Sequence, residues 1–71
     1  MRIEYAPKHD IMNIQFLEGI EIAESIEIEG IIFDYSKDRK IVSIEILDVG
    51  KRITTKPLES IDFAIMKEKA E

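Results

Sequence analysis

The chain of 71 residues contains no cysteine and no tryptophan, and it has only one histidine, two prolines and three glycines. Without cysteine it can form no disulfide, no thiolate metal site and no cysteine nucleophile. No apolar run approaches the roughly 18 residues that a membrane span needs, and no basic segment leads into an apolar one as in a secretory signal. We therefore expect a cytoplasmic protein without a membrane partner.

The residues that are present describe a small acidic domain. Hydrophobic residues make up 45% of the chain, charged residues 35%, and the net charge is −5. This apolar fraction is too high for a disordered protein, so we expect a single domain over residues 1–71. A chain of this size buries only about 60% of its unfolded surface, and such chains often depend on a partner subunit. The composition therefore favours a homo-oligomer, most simply a dimer. The abundance of isoleucine, glutamate and lysine also suggests a heat-adapted source.

The dominant pattern is an alternation of apolar and polar residues with period two, rich in isoleucine, which is typical of strands. It predicts strands over residues 2–5, 11–17, 20–28, 31–35 and 41–48. Because every connection between them is short, the simplest topology pairs the strands in chain order. The predicted fold is mainly β: an antiparallel five-stranded meander sheet.

Turn lengths fix the pairing of neighbouring strands in this meander. The expected cross-strand pairs are Ile3–Ile14, Tyr5–Met12, Phe16–Ile22, Ile14–Glu24, Glu24–Tyr35, Ile26–Phe33, Ile28–Ile31, Tyr35–Val42, Phe33–Ile44 and Ile31–Ile46. All four hairpins then place their apolar residues on one face. The opposite face, which includes Ser25, Asp34, Ser43 and Glu45, is predicted to be solvated.

The residues after position 48 are ambiguous. Leu58, Ile61 and Ile65 fit one stripe of a helix that begins near Pro57, whereas Ile61, Phe63 and Ile65 alternate as in a strand. We expect a short C-terminal helical turn at residues 57–60 and a possible sixth strand at residues 61–66. An open sheet with one apolar face needs a cover, which this tail or a second subunit must supply.

Glu24 is the most informative candidate residue. Its parity places it on the apolar face opposite Tyr35, where desolvation would raise the pKa of a carboxyl. Such a group could act as a general acid or base, or bind a ligand. Alternatively, a β-bulge turns Glu24 outward, or the hydroxyl of Tyr35 satisfies its hydrogen bonds.

Other acidic residues offer weaker candidates. Asp10 follows His9 in the first turn, where an Asx-type turn is the ordinary role of Asp. Asp34, Asp38, Glu45 and Asp48 could supply oxygen ligands to a hard cation, but their spacing matches no calcium loop. No catalytic triad, phosphate-binding loop or histidine–cysteine cluster is present in the sequence. We therefore predict no catalytic residue, no metal site and no cofactor.

Four segments stand out: Tyr5-Ala-Pro-Lys-His-Asp10, Ala23-Glu24-Ser25, Glu29-Gly30-Ile31-Ile32-Phe33-Asp34-Tyr35, and Ile41-Val42-Ser43-Ile44-Glu45-Ile46-Leu47-Asp48. They resemble members of domain-of-unknown-function family 2283, within a resemblance over residues 2–53. Val49-Gly50 stands where this family typically has a small residue and serine. The resemblance implies a compact β-rich unit, no established reaction, and importance for Tyr5, Asp10, Glu24, Asp34, Glu45 and Asp48.

Three functions remain open from the sequence. The leading hypothesis is a non-enzymatic interaction module that forms a homo-oligomer or binds a small protein partner. The second is a small-ligand or metal-dependent enzyme that uses Glu24 with Tyr35 or with the turn of His9 and Asp10. Independently of these hypotheses, the candidate binding residues are Glu24, Tyr35, Asp10, Asp34, Glu45 and Asp48. The third is an antitoxin-like acidic partner of a basic protein. The net charge of −5 argues against a nucleic-acid partner.

Overall fold

A computed structural model describes residues 1–68 and shows one open, wholly antiparallel sheet. Its strands are β1 (Arg2–Ala6), β2 (Ile11–Gln15), β3 (Glu24–Ile28), β4 (Ile31–Tyr35) and β5 (Ile41–Ile46). A single 3₁₀ turn follows at Val49–Lys51. The strand order across the sheet is β1-β2-β5-β4-β3. The predicted mainly β fold with five antiparallel strands is confirmed.

The predicted meander order is wrong at one connection, because β2 pairs with β5 and not with β3. The expected pairs Phe16–Ile22 and Ile14–Glu24 therefore do not form. Ile14 lies opposite Ile44 instead, so two apolar side chains face each other. The predicted meander would have placed Ile14 opposite the carboxylate of Glu24. Strands β3, β4 and β5 form a meander whose last strand lies beside β2, which is a Greek-key arrangement.

The new pairing also explains why β3 begins later than predicted. Residues 16–23 must cross the end of the sheet from β2 to the far edge, so they cannot belong to a strand. The carbonyl of Val42 accepts hydrogen bonds from the backbone N–H groups of Phe16 (2.8 Å) and Leu17 (3.1 Å) at one end of this crossing. The N–H of Ala23 donates to the carbonyl of Tyr35 (2.8 Å) at the other.

The registers of the local hairpins agree with the prediction. The observed pairs include Ile3–Ile14, Tyr5–Met12, Glu24–Tyr35, Ile26–Phe33, Ile28–Ile31, Phe33–Ile44 and Ile31–Ile46. Glu29 (φ 50°) and Gly30 (φ 80°) both have the positive φ of a two-residue hairpin turn whose twist matches that of the strands. The exception is Tyr35, which pairs with Ile41 and not with Val42, because a β-bulge shifts the register after Asp34.

These registers place two apolar rows across all five strands on one side of the sheet. We call this side the apolar face; its rows are Ile3-Ile14-Ile44-Phe33-Ile26 and Tyr5-Met12-Ile46-Ile31-Ile28. The other side, the polar face, carries the rows Arg2-Gln15-Ser43-Asp34-Ser25 and Glu4-Asn13-Glu45-Ile32-Glu27. The period-two pattern of the sequence is thus expressed as two chemically distinct faces.

Burial does not follow this division. Among the described residues, Val42 and Val49 are the only buried hydrophobic residues, each 3% exposed. Three polar residues are also buried, namely Asp34, Ser36 and Ser43. No residue of the two apolar rows is buried, even on the central strands, although Val42 follows the same alternation on β5 as Ile44 and Ile46. The expectation that the polar face is solvated is therefore wrong at its centre.

The tail differs from the prediction as well. No helical turn forms at residues 57–60, and residues 61–68 form no strand and are all exposed. Only the 3₁₀ turn at Val49–Lys51 is regular. The tail therefore leaves most of the apolar face uncovered.

Candidate functional site

The most enclosed polar group of the described chain is the carboxylate of Asp34, in the middle of β4, which is 2% exposed. Its row on the polar face places a serine on each side, from β3 and from β5. The hydroxyl of Ser25 donates to its Oδ1 at 2.6 Å, and the hydroxyl of Ser43 donates to its Oδ2 at 2.8 Å. Both carboxylate oxygens are thus bonded, which offsets the cost of burial.

Glu45 of β5 is the fourth member of this cluster, after Asp34, Ser25 and Ser43. Burial raises the pKa of Glu45, and its hydrogen bond to Asp34 and the negative charge of Asp34 raise that pKa further. Burial also raises the pKa of Asp34, but hydrogen bonds from Ser25, Ser43 and Glu45 outweigh it, so that pKa is lowered overall. The pKa values of the two neighbouring carboxyls are therefore displaced in opposite directions, that of Glu45 upward and that of Asp34 downward.

Two carboxyls with separated pKa values resemble a general acid–base pair in their electrostatics. A reaction also needs space for a substrate, and two cavities of the described chain lie away from this cluster. One of about 410 Å³ is lined by residues 53–60 and 62, and one of about 250 Å³ by Tyr5 and residues 58–61. The oxygens of Asp34 are moreover occupied by the two serines. The cluster of Ser25, Asp34, Ser43 and Glu45 thus serves to tie together β3, β4 and β5.

A second group of side-chain hydrogen bonds centres on Asp10, the residue directly before β2. It accepts a hydrogen bond from the hydroxyl of Tyr5 (2.7 Å) and bonds from the backbone N–H of Gly50 to Oδ1 (3.1 Å) and Oδ2 (2.9 Å). The bond from Tyr5 is the main cause of the lowered pKa of Asp10, and the bond from Gly50 adds to it. A side chain at position 50 would bring Cβ to 3.1 Å from Asp10 Oδ2, so glycine permits this approach.

Asp10 therefore pins the 3₁₀ turn to the sheet, and its backbone carbonyl also accepts from the N–H of Val49 at 3.1 Å. Asp10 itself has φ 56°, which Asp tolerates better than most residues. The preceding residue, His9, is exposed, and its N–H donates to the carbonyl of Ala6 within the turn. Asp10 lies in the first turn as predicted, but the described bonds of its carboxylate go to Tyr5 and Gly50 and are not those of an Asx-type turn.

Glu24 and Tyr35 lie opposite each other as predicted, but Glu24 is not buried. Its side chain is 51% exposed, and its Oε2 accepts from Arg39 Nη1 at 2.9 Å. The guanidinium of Arg39 also lies over the ring of Tyr35, 5.5 Å from its centre. The expectation of a desolvated Glu24 is wrong, because β3 is an edge strand with no neighbour on its outer side in the described part of the chain.

Asp48, the last candidate residue, is exposed and has φ 51° at the N-cap of the 3₁₀ turn, where its side chain makes no capping bond. It lies apart from the cluster around Asp34. Asp38, another residue of the possible cation site, accepts instead from Ser36. Within residues 1–68, no three metal-ligating side chains lie together.

Sequence reasoning missed several residues that make these contacts. Ser25 and Ser43 were assigned to a solvated face, although the predicted hairpin registers already placed both beside Asp34. A second missed residue is Arg52, whose guanidinium donates to the carbonyls of Leu47 (2.8 Å) and Glu29 (2.5 Å) and so links the end of β5 to the β3–β4 turn. Nothing in the local pattern around Arg52 indicates this contact.

The comparison with protein families agrees with this description. A model described as protein of unknown function (DUF2283) matches residues 2–49, which cover all five strands. The chain belongs to the DUF2283 family. No curated protein and no solved structure matches the chain. The match confirms the resemblance seen in the sequence, and it ends just before Gly50, so the tail lies outside it.

The part of the chain that the structure describes contains no helix of the length and hydropathy that a membrane crossing requires.

Proposed function

We propose that this DUF2283 protein is a non-enzymatic assembly module that forms a homodimer by packing its apolar face against that of a second copy. The observation that carries the proposal is the state of the two five-residue apolar rows. Ile3, Ile26 and Ile28 are 41%, 38% and 58% exposed, and the residues on the central strands are only partly covered. Contiguous exposed apolar surface of this kind marks interaction sites.

The surface area of the isolated chain supports the same conclusion. Its accessible surface is 6271 Å², whereas a compact monomer of 8.2 kDa exposes about 4,500 Å². Its radius of gyration of 14.6 Å likewise exceeds the roughly 11 Å of a compact domain of this length. Part of this excess of roughly 1,700 Å² belongs to the exposed residues 61–68, and the rest includes the partly covered apolar rows that a partner can bury.

The polar cluster contributes to this function indirectly. The bonds of Asp34 fix β3, β4 and β5 to one another, and these three strands carry six of the ten residues of the two apolar rows. No contact of Glu24 supports the alternative of an enzyme based on that residue. The heat-adapted source and the cytoplasmic location expected from the composition stay predictions.

The test is the oligomeric state of the purified full-length chain by sedimentation velocity at micromolar concentrations. We expect a stable dimer, and a monomer would overturn the proposal. The variant Ile28→Lys places a charge on the apolar face at an exposed position, so it should dissociate the dimer while the far-UV circular dichroism spectrum stays unchanged. The matched control is Glu27→Lys, which introduces the same side chain on the polar face of the same strand and should remain dimeric.

A further inference from the structure

In the described chain, each of the two outer strands of the sheet has one edge without a partner strand, and the tail pairs with no strand. β3 pairs only with β4, and all five of its residues are exposed. The tail alternates Ile61, Phe63 and Ile65, which are 52%, 75% and 84% exposed. A free strand edge and a strand-like apolar segment are complementary, since each satisfies the backbone groups and covers the apolar side chains of the other.

We infer that residues 61–67 of one copy add as a sixth strand to the β3 edge of the other copy. This inference rests on the proposed face-to-face dimer. The segment begins at the wrong edge to reach its own β3, because residues 58–61 lie beside Tyr5 of β1. Four strand spacings, about 19 Å in all, separate β1 from β3 within one sheet.

A symmetric dimer removes this separation. β5 is the central strand of the five. A two-fold axis that runs parallel to β5 and lies between the two apolar faces therefore places β1 of one copy over β3 of the other. Stacked sheets lie about 10 Å apart with their strands aligned to within about 30°. Three extended residues span about 10 Å, which is the length available from Ser60 to Phe63.

The direction of the strands and their position along the two-fold axis are also compatible with this pairing. Tyr5 and Ile28 belong to the same apolar row, so a segment that leaves its own sheet at Tyr5 arrives beside Ile28 of the partner subunit. An axis along the strands preserves their direction, and β1 and β3 run the same way in this sheet. A segment that turns back from Tyr5 therefore runs antiparallel to the partner's β3.

Charge selects the register of this pairing. With Phe63 opposite Ile28 of the partner subunit, Ile65 lies opposite the partner's Ile26 and Lys67 opposite the partner's Glu24. The segment then adds apolar residues to both apolar rows and ends on a pair of opposite charges. This register places Asp62 opposite Glu29 of the partner's turn, beyond the end of β3. A shift by two residues would place Asp62 opposite the partner's Glu27 within the strand and would lose the pair between Lys67 and the partner's Glu24.

Cysteine cross-linking tests the inference, because the natural chain has no cysteine to interfere. The full-length double variant Ile26→Cys/Ile65→Cys should become a covalent dimer on mild oxidation, seen as a doubled mass on a non-reducing gel. The control Ile26→Cys/Ala64→Cys moves the second cysteine to the opposite side of the added strand and should remain largely unlinked. A 26–65 variant that stays unlinked, or that forms the disulfide within one chain, overturns the inference.

Amide hydrogen exchange gives an independent readout in which the dimer itself carries no substitution. In the dimer, alternate backbone amides of residues 62–67 should be protected at least tenfold relative to the same residues in a dissociated Ile28→Lys chain. Full exchange of these amides in a protein that sediments as a dimer overturns the strand addition and leaves the proposed dimer intact. A wild-type monomer overturns both.

Discussion

The replacement of Asp34 by alanine tests whether the polar cluster holds the sheet together. It removes a carboxylate that accepts hydrogen bonds at 2.6 Å and 2.8 Å from serines on the two neighbouring strands. A hydrogen bond to a charged group contributes about 1.5–3 kcal/mol to stability. Ser25 is exposed and can bond to water instead, whereas Ser43 is buried and loses its partner.

The expected cost of Asp34→Ala is therefore about 3 kcal/mol, near the lower value for each of the two bonds. For a domain whose total stability is of the order of 5–15 kcal/mol, this is a large loss. With an m-value of about 1 kcal/mol/M, the urea midpoint should fall by about 3 M. Unfolding is followed by far-UV circular dichroism at one fixed protein concentration, because dimer formation would make stability depend on concentration.

The control for this experiment is Glu27→Ala, on the same polar face but on the exposed edge strand, which should change the stability by less than about 0.5 kcal/mol. A loss below about 1 kcal/mol for Asp34→Ala would refute the reasoning. It would mean that the buried carboxylate costs as much to desolvate as its two serine bonds return.

Three further predictions concern the other carboxyls. The pKa of Glu45 is raised in the folded state, so its contribution to stability is present below about pH 4.5 and is lost as the pH rises through the folded-state pKa. The variant Glu45→Gln should therefore unfold at a higher urea concentration than wild type at pH 7. At pH 4 the increase in the urea midpoint should be smaller. Tyr5→Phe should raise the lowered pKa of Asp10 towards 3.8, measured by carboxyl NMR titration, and an unchanged value would contradict the assigned cause. Glu24→Gln removes an exposed ion pair and should change stability by less than about 0.5 kcal/mol; a loss above 2 kcal/mol would show that Glu24 is buried after all.

The sequence by itself determined the local part of this structure. Period-two alternation and turn length fix each hairpin between neighbouring strands, because a slip of one residue exchanges the two faces. For this reason the pairs Tyr5–Met12, Ile26–Phe33 and Phe33–Ile44 follow from the pattern, and so does the presence of Ser25 and Ser43 beside Asp34.

Only the tertiary structure decided which distant strands meet and which groups lose contact with water. Alternation is equally satisfied by β2 beside β3 or β2 beside β5, so the pattern could not choose between them, and side-chain matching across the sheet did. That choice made β3 an edge strand, which exposes Glu24, and placed Asp34 between bonded serines on an inner strand, where it is buried. The contact of Asp10 with Gly50 joins residues forty positions apart, and no local pattern encodes such a distance. Burial is a property of what surrounds a side chain, and in this sheet the surroundings come from strands that are remote in the sequence.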